Sequence, residues 1–274
     1  MREMDLLPED FEKKLKTKII GHPFCVYLQL DSTQITAEYM AEGGAQEGTV
    51  VFAYSQKKGR GKDGRWWYSP PGGAWFTVIL KPHFLSLKAN RINIAFTVAI
   101  AEVLSSFKNL QPIIKWPNDV LIKKKKICGI LTQMKSSFKK ERGSGRDGAH
   151  IEYALVGIGM NVNIEKENFP VELKDGVTSL QEEIGEEIVL EEFLSSLLQK
   201  MDEYYLMLKQ HKFAEIQQRW QTFSLPSGTL VRTVNSKGST HGQLVGTNEK
   251  GNLIIRYPHG QLEEIATGEI ELLT

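Results

Sequence analysis

The chain has 274 residues, with 34 Lys+Arg against 33 Asp+Glu, a formal net charge of +1, 41% hydrophobic and 24% charged residues. That is an ordinary soluble globular composition, and the length allows one large domain plus a small one at roughly 100–200 residues per domain. The even charge argues against a chain whose main business is a phosphate backbone, so no nucleic-acid partner is expected and any basic function must be local. Cys25 and Cys128 make neither a disulfide framework nor a metal cluster, which points to a reducing, cytoplasmic setting. No run of about 18 apolar residues exists, so no membrane span is expected, and the charged opening carries no signal-peptide core.

Residues 8–20 place a proline and acids first and lysines last, the order a helix prefers. Gly21 and Pro23 end that helix, and Phe24–Leu30 reads as a strand. Asp31-Ser32-Thr33 offers N-caps for a helix running to about Glu42, and residues 48–54 read as a second strand. Residues 55–73 break the pattern with glycines, two prolines, cations and paired tryptophans, a long segment of the functional or disordered kind. Ala74–Leu80 is a strand. Residues 90–107 form the clearest helix, with Ile92, Phe96, Ala99, Val103 and Phe107 on one face.

Residues 113–115, 119–122 and 127–134 then read as short strands, with Lys123–Lys125 as a solvated turn between the last two. Residues 135–149 read as an exposed hairpin loop and 152–157 as a strand. A second long amphipathic helix carries Leu190, Phe193, Leu197, Met201, Tyr204 and Leu208, and a shorter helix ends near Phe223. After Pro226-Ser227-Gly228 the chain is short strands with turn signals, which suggests a small all-β barrel.

Four segments carry candidate chemistry. In Gln56 through Trp67, glycines let a backbone approach an anion, Lys58, Arg60, Lys62 and Arg65 can neutralise a polyphosphate or acyl phosphate, and Trp66, Trp67 and Tyr68 can wall in something apolar. A solvated charged loop is the alternative, and paired tryptophans tip the balance to ligand binding. In Lys115-Trp116-Pro117-Asn118-Asp119, an Asn-Asp pair can give oxygen ligands to a magnesium ion, and a plain turn fits the spacing equally well. Lys126, entering a buried strand, can place a cation where charge develops; taken alone it reads as the fourth member of a lysine run. Gly157 through Asn163 is a glycine pair after a strand, which a tight turn also explains. Cys128 is most simply a small buried residue.

In this order, Asp31-Ser32-Thr33, Gln56 with Gly59-Arg60-Gly61 to Gly64-Arg65 and Trp67, Lys115 to Asp119, Lys126 with Gly129-Ile130-Leu131, and Gly157 to Asn163 resemble the biotin protein ligases. Five such motifs in sequence overrule the bland reading of Lys126. The resemblance implies an α+β fold: a class II synthetase-like catalytic domain over residues 1–225, with a mixed β-sheet flanked by helices and residues 1–23 as helix and lead-in. A small C-terminal SH3-like β-barrel would cover 226–274. It implies biotin and ATP as substrates, magnesium, a biotinyl-5′-adenylate intermediate, and a biotin carboxyl carrier protein domain as acceptor.

Carried over by motif, Ser32, Thr33, Gln56, Gly59, Arg60, Trp67, Lys126 and Gly129 should meet biotin. Arg60, Gly61, Lys62, Arg65, Trp67, Asn118 and Asn161 should meet ATP or the adenylate. Lys126 and Arg60 are the expected catalytic groups, and Asp119 the expected magnesium contact. The 55–73 loop is expected to be loose when empty. Two departures stand out: Gln34 follows Thr33 where the family commonly has Asn, and Lys62 replaces the second arginine of Gly-Arg-Gly-Arg, keeping its charge without the bidentate fork. With about 30 residues before the core, the ligase-only type is expected. Monomer and two-fold homodimer are both compatible. The rival readings are a lipoate or octanoate ligase or transferase on the same scaffold, and a non-catalytic nucleic-acid or carrier-binding module.

Overall fold

The computed structural model describes residues 8–139, 148–235 and 238–273. In chain order the larger part holds α1 (Pro8–Lys14), β1 (Phe24–Leu30), α2 (Thr33–Glu42), β2 (Val50–Gln56), β3 (Ala74–Leu80) and α3 (Asn90–Ser105). It continues with β4 (Pro112–Lys115), β5 (Asp119–Ile122), β6 (Lys125–Lys139), β7 (Gly148–Met160), α4 (Leu180–Ile184), α5 (Leu190–Lys209) and α6 (Phe213–Phe223). Its strands form one sheet in the order β1-β2-β3-β7-β6-β5-β4. β1 and β2 run parallel and the remaining pairs antiparallel, so the sheet is mixed.

Both faces of the sheet's centre are covered, which is why β3 is apolar and buried at every position. On one face Phe52, Phe76, Val156 and Ile158 join a core with α3, α5 and α6. On the other, Val51, Ile79 and Leu155 pack under Ala37 and Ala41 of α2. The remaining strands, β8 (Leu230–Asn235), β9 (Gly238–Thr247), β10 (Leu253–Arg256), β11 (Leu262–Ile265) and β12 (Glu269–Leu272), make a separate antiparallel sheet in the order β11-β10-β9-β8-β12. No described helix is long and apolar enough to cross a membrane.

β1, β3 and β5 occupy the ranges read from the sequence; other expectations change. The first helix ends at Lys14 instead of reaching residue 20, because the Asp202 carboxylate takes the backbone N–H groups of Lys18, Ile19 and Ile20 at 2.8–2.9 Å. The loop expected over 135–149 is strand up to Lys139 and again from Gly148, paired from Lys135↔Tyr153 to Lys139↔Gly148. These residues read as loop because this outer arm has few apolar side chains to bury; the part over 140–147 lies outside the described residues. Gly157 and Gly159 lie within β7, not in a turn after it. The lysine turn is shorter than expected, Lys123 and Lys124 both at positive φ with Lys125 already opening β6 opposite Ile122.

Candidate active site

The period-2 alternation of β7 puts Gly157 and Gly159 on the α2 face of the sheet, and Gly129 of β6 pairs with Gly159. Three missing side chains on adjacent strands leave a trough where neighbouring positions would fill it. The indole of Trp67 lies in that trough: a Cβ on Gly159 would stand 2.4 Å from Trp67 Nε1, and one on Gly129 3.1 Å from its six-membered ring. The cavity above has a volume of about 210 Å³.

One end of the cavity is a closed set of hydroxyls and amides. Ser32 caps α2, its Oγ accepting from Gln34 N at 3.3 Å. Gln56 Oε1 accepts from Thr33 N at 2.8 Å and Thr33 Oγ1 at 3.1 Å, and Gln56 Nε2 donates to Ser69 Oγ at 2.9 Å. Thr33 Oγ1 meets Thr77 Oγ1 at 2.9 Å, and Thr77 in turn donates to Gln34 Oε1 at 3.1 Å. Gln34 Nε2 reaches the Leu155 carbonyl at 3.2 Å. Each amide and hydroxyl is fixed by its neighbours, so the directions they present are set before a ligand arrives.

The other end is cationic. The segment between β2 and β3 folds back on itself, with Gln56 N on Ser69 O, Trp67 N on Gly59 O, Gly61 N on Arg65 O and Arg65 N on Lys62 O. The segment forms a hairpin with its own backbone bonds, and the Lys62 and Arg65 side chains attach it to the C-terminal sheet. Its tight geometry depends on one glycine more than the other. A Cβ on Gly59 would fall 2.3 Å from the Trp67 carbonyl and 2.6 Å from Ser69 Oγ, whereas one on Gly61 meets nothing closer than 3.2 Å. We expect Gly59→Ala to cost about 1–3 kcal/mol of hairpin closure and to weaken ligand binding accordingly. Gly61→Ala should stay close to wild type, as isothermal titration of both variants will check.

Between the two ends stands Lys126. Its Nζ is 2.7 Å from Asp119 Oδ1 and 4.9 Å from the Trp67 ring centroid. Its backbone is fixed independently, N to the Gly176 carbonyl and O to Thr178 N. Trp67 Nε1 is buried with no acceptor, a donor left inside the cavity wall.

Of the expected site residues, Ser32, Thr33, Gln56, Arg60, Gly61, Lys62, Arg65, Trp67, Asn118, Lys126, Gly129 and Asn161 line this one cavity. Gly59 lies just behind it, under Trp67 and Ser69. Asn118 and Asn161 both use a side-chain N–H on backbone, donating to the Ile130 and Thr178 carbonyls at 2.7 and 2.9 Å. Asp119 is not among the lining residues; its carboxylate is the partner of Lys126. Among the described residues no three His, Cys, Asp or Glu side chains gather as a metal-holding group. A magnesium ion carried by nucleotide phosphates needs only one or two protein carboxylates, and here the Asp119 carboxylate is paired with Lys126 at the cavity's edge.

Sequence reasoning missed Gln34 and Thr77 in the polar set, and Phe169, Leu173 and Val177, which wall the cavity from the segment before α4. Trp116 belongs to the core: it is 2% exposed and donates to the Gly251 carbonyl at 3.2 Å. Cys128 is fully buried, and burial pushes its thiol well above the ordinary value, which leaves it inert.

Residues 26–145 match the model of the biotin/lipoate A/B protein ligase family. The chain is 34% identical over 259 residues to the bifunctional ligase/repressor BirA of Bacillus subtilis, covering 94% of this chain and 76% of that protein. It is 30% identical to the biotin–[acetyl-CoA-carboxylase] ligase of Paracoccus denitrificans, covering 84% and 93%. The biotin protein ligase of Aquifex aeolicus, solved in complex with biotin and ATP, superposes with a TM-score of 0.75 at 30% identity, over 91% of this chain and 98% of that one. With this shared sequence and fold running through both parts of the molecule, the chain belongs to the biotin protein ligases.

Proposed function

We propose that the chain joins biotin to a lysine of a biotin carboxyl carrier domain in two steps, with ATP as the second substrate. A carboxylate oxygen of biotin attacks the α-phosphorus of ATP, the bond to the bridging oxygen breaks, and pyrophosphate leaves. The carrier lysine, as the free amine, then attacks the carbonyl carbon of the mixed anhydride; AMP leaves and an amide forms. The observation that carries this reading is the position of Lys126 between a rigid amide-hydroxyl set and a hairpin of cations, in a single cavity.

A cyclic urea presents one carbonyl and two N–H groups in a plane, which suits the Ser32, Thr33 and Gln56 end. Bringing a carboxylate to a phosphate joins two anions, and fixed cations lower that repulsion and meet the charge of the transition state. Lys126, held by Asp119, is assigned that work between carboxylate and α-phosphate. Arg60 and the Gly59–Gly61 backbone close over the adenylate, with Lys62 and Arg65 at its phosphate side. Trp67 packs on the ligand across Gly129, and Asn118 and Asn161 bound the nucleotide. Lys126 stabilises charge and the carrier lysine is the nucleophile; no step is assigned to a metal. The reading treats residues 1–225 as the catalytic unit and 226–274 as a second unit, since no described strand pairs from one sheet to the other.

The test is acid-dependent ATP–pyrophosphate exchange. Exchange with biotin, at least tenfold above that with lipoate or octanoate, is expected, because a linear acyl chain offers nothing to the polar end. Exchange with lipoate in its place would move the substrate, and none with any of the three from folded protein would overturn the enzyme reading.

A further inference from the structure

The C-terminal sheet is seated on the catalytic part by contacts that leave it little freedom. Asn90 Nδ2, at the start of α3, donates to Asn252 Oδ1 at 2.7 Å and the Ala266 carbonyl at 2.8 Å, and Arg91 Nε donates to the Glu249 carbonyl at 2.6 Å. Gly251 lies flush on that helix start, where a Cβ would stand 2.9 Å from Arg91 N. From this seat the chain before β12 reaches across to the hairpin. Lys62 Nζ donates to the Gly268 carbonyl at 2.7 Å, and the Arg65 guanidinium forks onto both carboxylate oxygens of Glu269. Two of the three hairpin cations that line the cavity are therefore tied to the other sheet, while Arg60 has no ion pair among the described residues.

We propose that Glu269 is a positioning residue of the adenylation site, which fixes Arg65 and the hairpin against the cavity so that hold on the nucleotide and lifetime of the acyl-adenylate depend on the C-terminal sheet. The proposal rests on the reading of the cavity as the adenylate site. The Arg65–Glu269 pair is a charge-assisted contact, and together with Lys62 on the Gly268 carbonyl it ties the hairpin to the C-terminal sheet at two adjacent points. Burial pushes the Glu269 carboxyl up, but the Arg65 hydrogen bond and the charges of Arg65, Lys62 and Lys115 outweigh it and leave the group below its ordinary value. The pair itself is surface-exposed, at 59% and 35% of the two side chains, so its loss should unsettle the hairpin without unfolding the chain.

The full chain is compared with Glu269→Gln, Glu269→Asp and the exchange Arg65→Glu/Glu269→Arg. Glu269→Gln should raise KM for ATP and the release rate of biotinyl-adenylate by about tenfold, leaving biotin affinity and melting temperature near wild type, the pattern of lost binding without lost chemistry. Glu269→Asp should recover part of the difference, and the charge exchange should perform better than Arg65→Glu alone. A structural role only would lower the melting temperature and leave KM for ATP unmoved. Glu269→Gln with KM for ATP and adenylate release both within twofold of wild type would overturn the proposal. A wild-type chain that forms no adenylate from biotin and ATP would instead overturn the reading on which it rests.

Discussion

A Lys126→Ala protein should lose about 10²–10³-fold in biotin-dependent pyrophosphate exchange, the usual result of deleting one preorganised charge-stabilising donor, while keeping its fold. The fold should survive because the Lys126 backbone bonds to Gly176 and Thr178 do not involve the side chain. The side chain is 28% exposed and Asp119 18%, so removing the ammonium also leaves a carboxylate without its counter-ion beside two incoming anions. Lys126→Ala/Asp119→Asn separates these effects: activity returning toward wild type would assign the loss to the stray Asp119 charge and not to Lys126 itself. Lys126→Arg restores charge but spreads it over a planar group in place of a compact point donor; we expect it to stay at least tenfold down. Exchange in Lys126→Ala within about threefold of wild type would remove the lysine from the mechanism.

The elements that place Lys126 were legible in the sequence to different degrees, and for physical reasons. β3 announces itself because a strand buried on both faces must be apolar throughout, and α3 because one face repeats at helical spacing. The glycine trough was only half legible. Gly157 and Gly159 stood out as a pair, but their meaning depends on Gly129 lying opposite Gly159, a register that nothing local encodes. Gln34 marked itself as a departure from the family pattern, yet its partner Thr77 is a strand residue 43 positions away. The cavity wall at Phe169, Leu173 and Val177 comes from a segment without periodicity, drawn in by backbone bonds such as Leu180 N to the Asn161 carbonyl. Arg65 and Glu269 are 204 residues apart: Arg65 reads as a phosphate contact, and nothing local marks Glu269 as its partner.

Asp202 is the residue whose loss should cost the fold most. On α5 it reads as one more surface acid, but it is 3% exposed. Its Oδ2 accepts from Lys18 N at 2.8 Å, and its Oδ1 from Ile19 N and Ile20 N at 2.9 Å each. No helix of their own takes these three amides, so the carboxylate is what holds residues 18–20 in their turn leading toward β1 with Ile20 wholly buried. Asp202→Ala strands the buried Ile20 N–H and the part-buried N–H groups of Lys18 and Ile19, and at about 1–3 kcal/mol for a fully buried group and less for the other two, a net loss of about 2–4 kcal/mol is expected. Against a typical total of about 5–15 kcal/mol that is a large fraction. Asp202→Asn should be nearly as damaging despite its matching shape, since one of its two positions becomes an NH₂ group facing an N–H donor. Urea unfolding of the three proteins measures this directly. Neither residues 18–20 nor Asp202 line the cavity, so exchange activity per folded molecule should remain within about twofold; destabilisation below about 1 kcal/mol in both variants would show that the lead-in holds its path without the carboxylate.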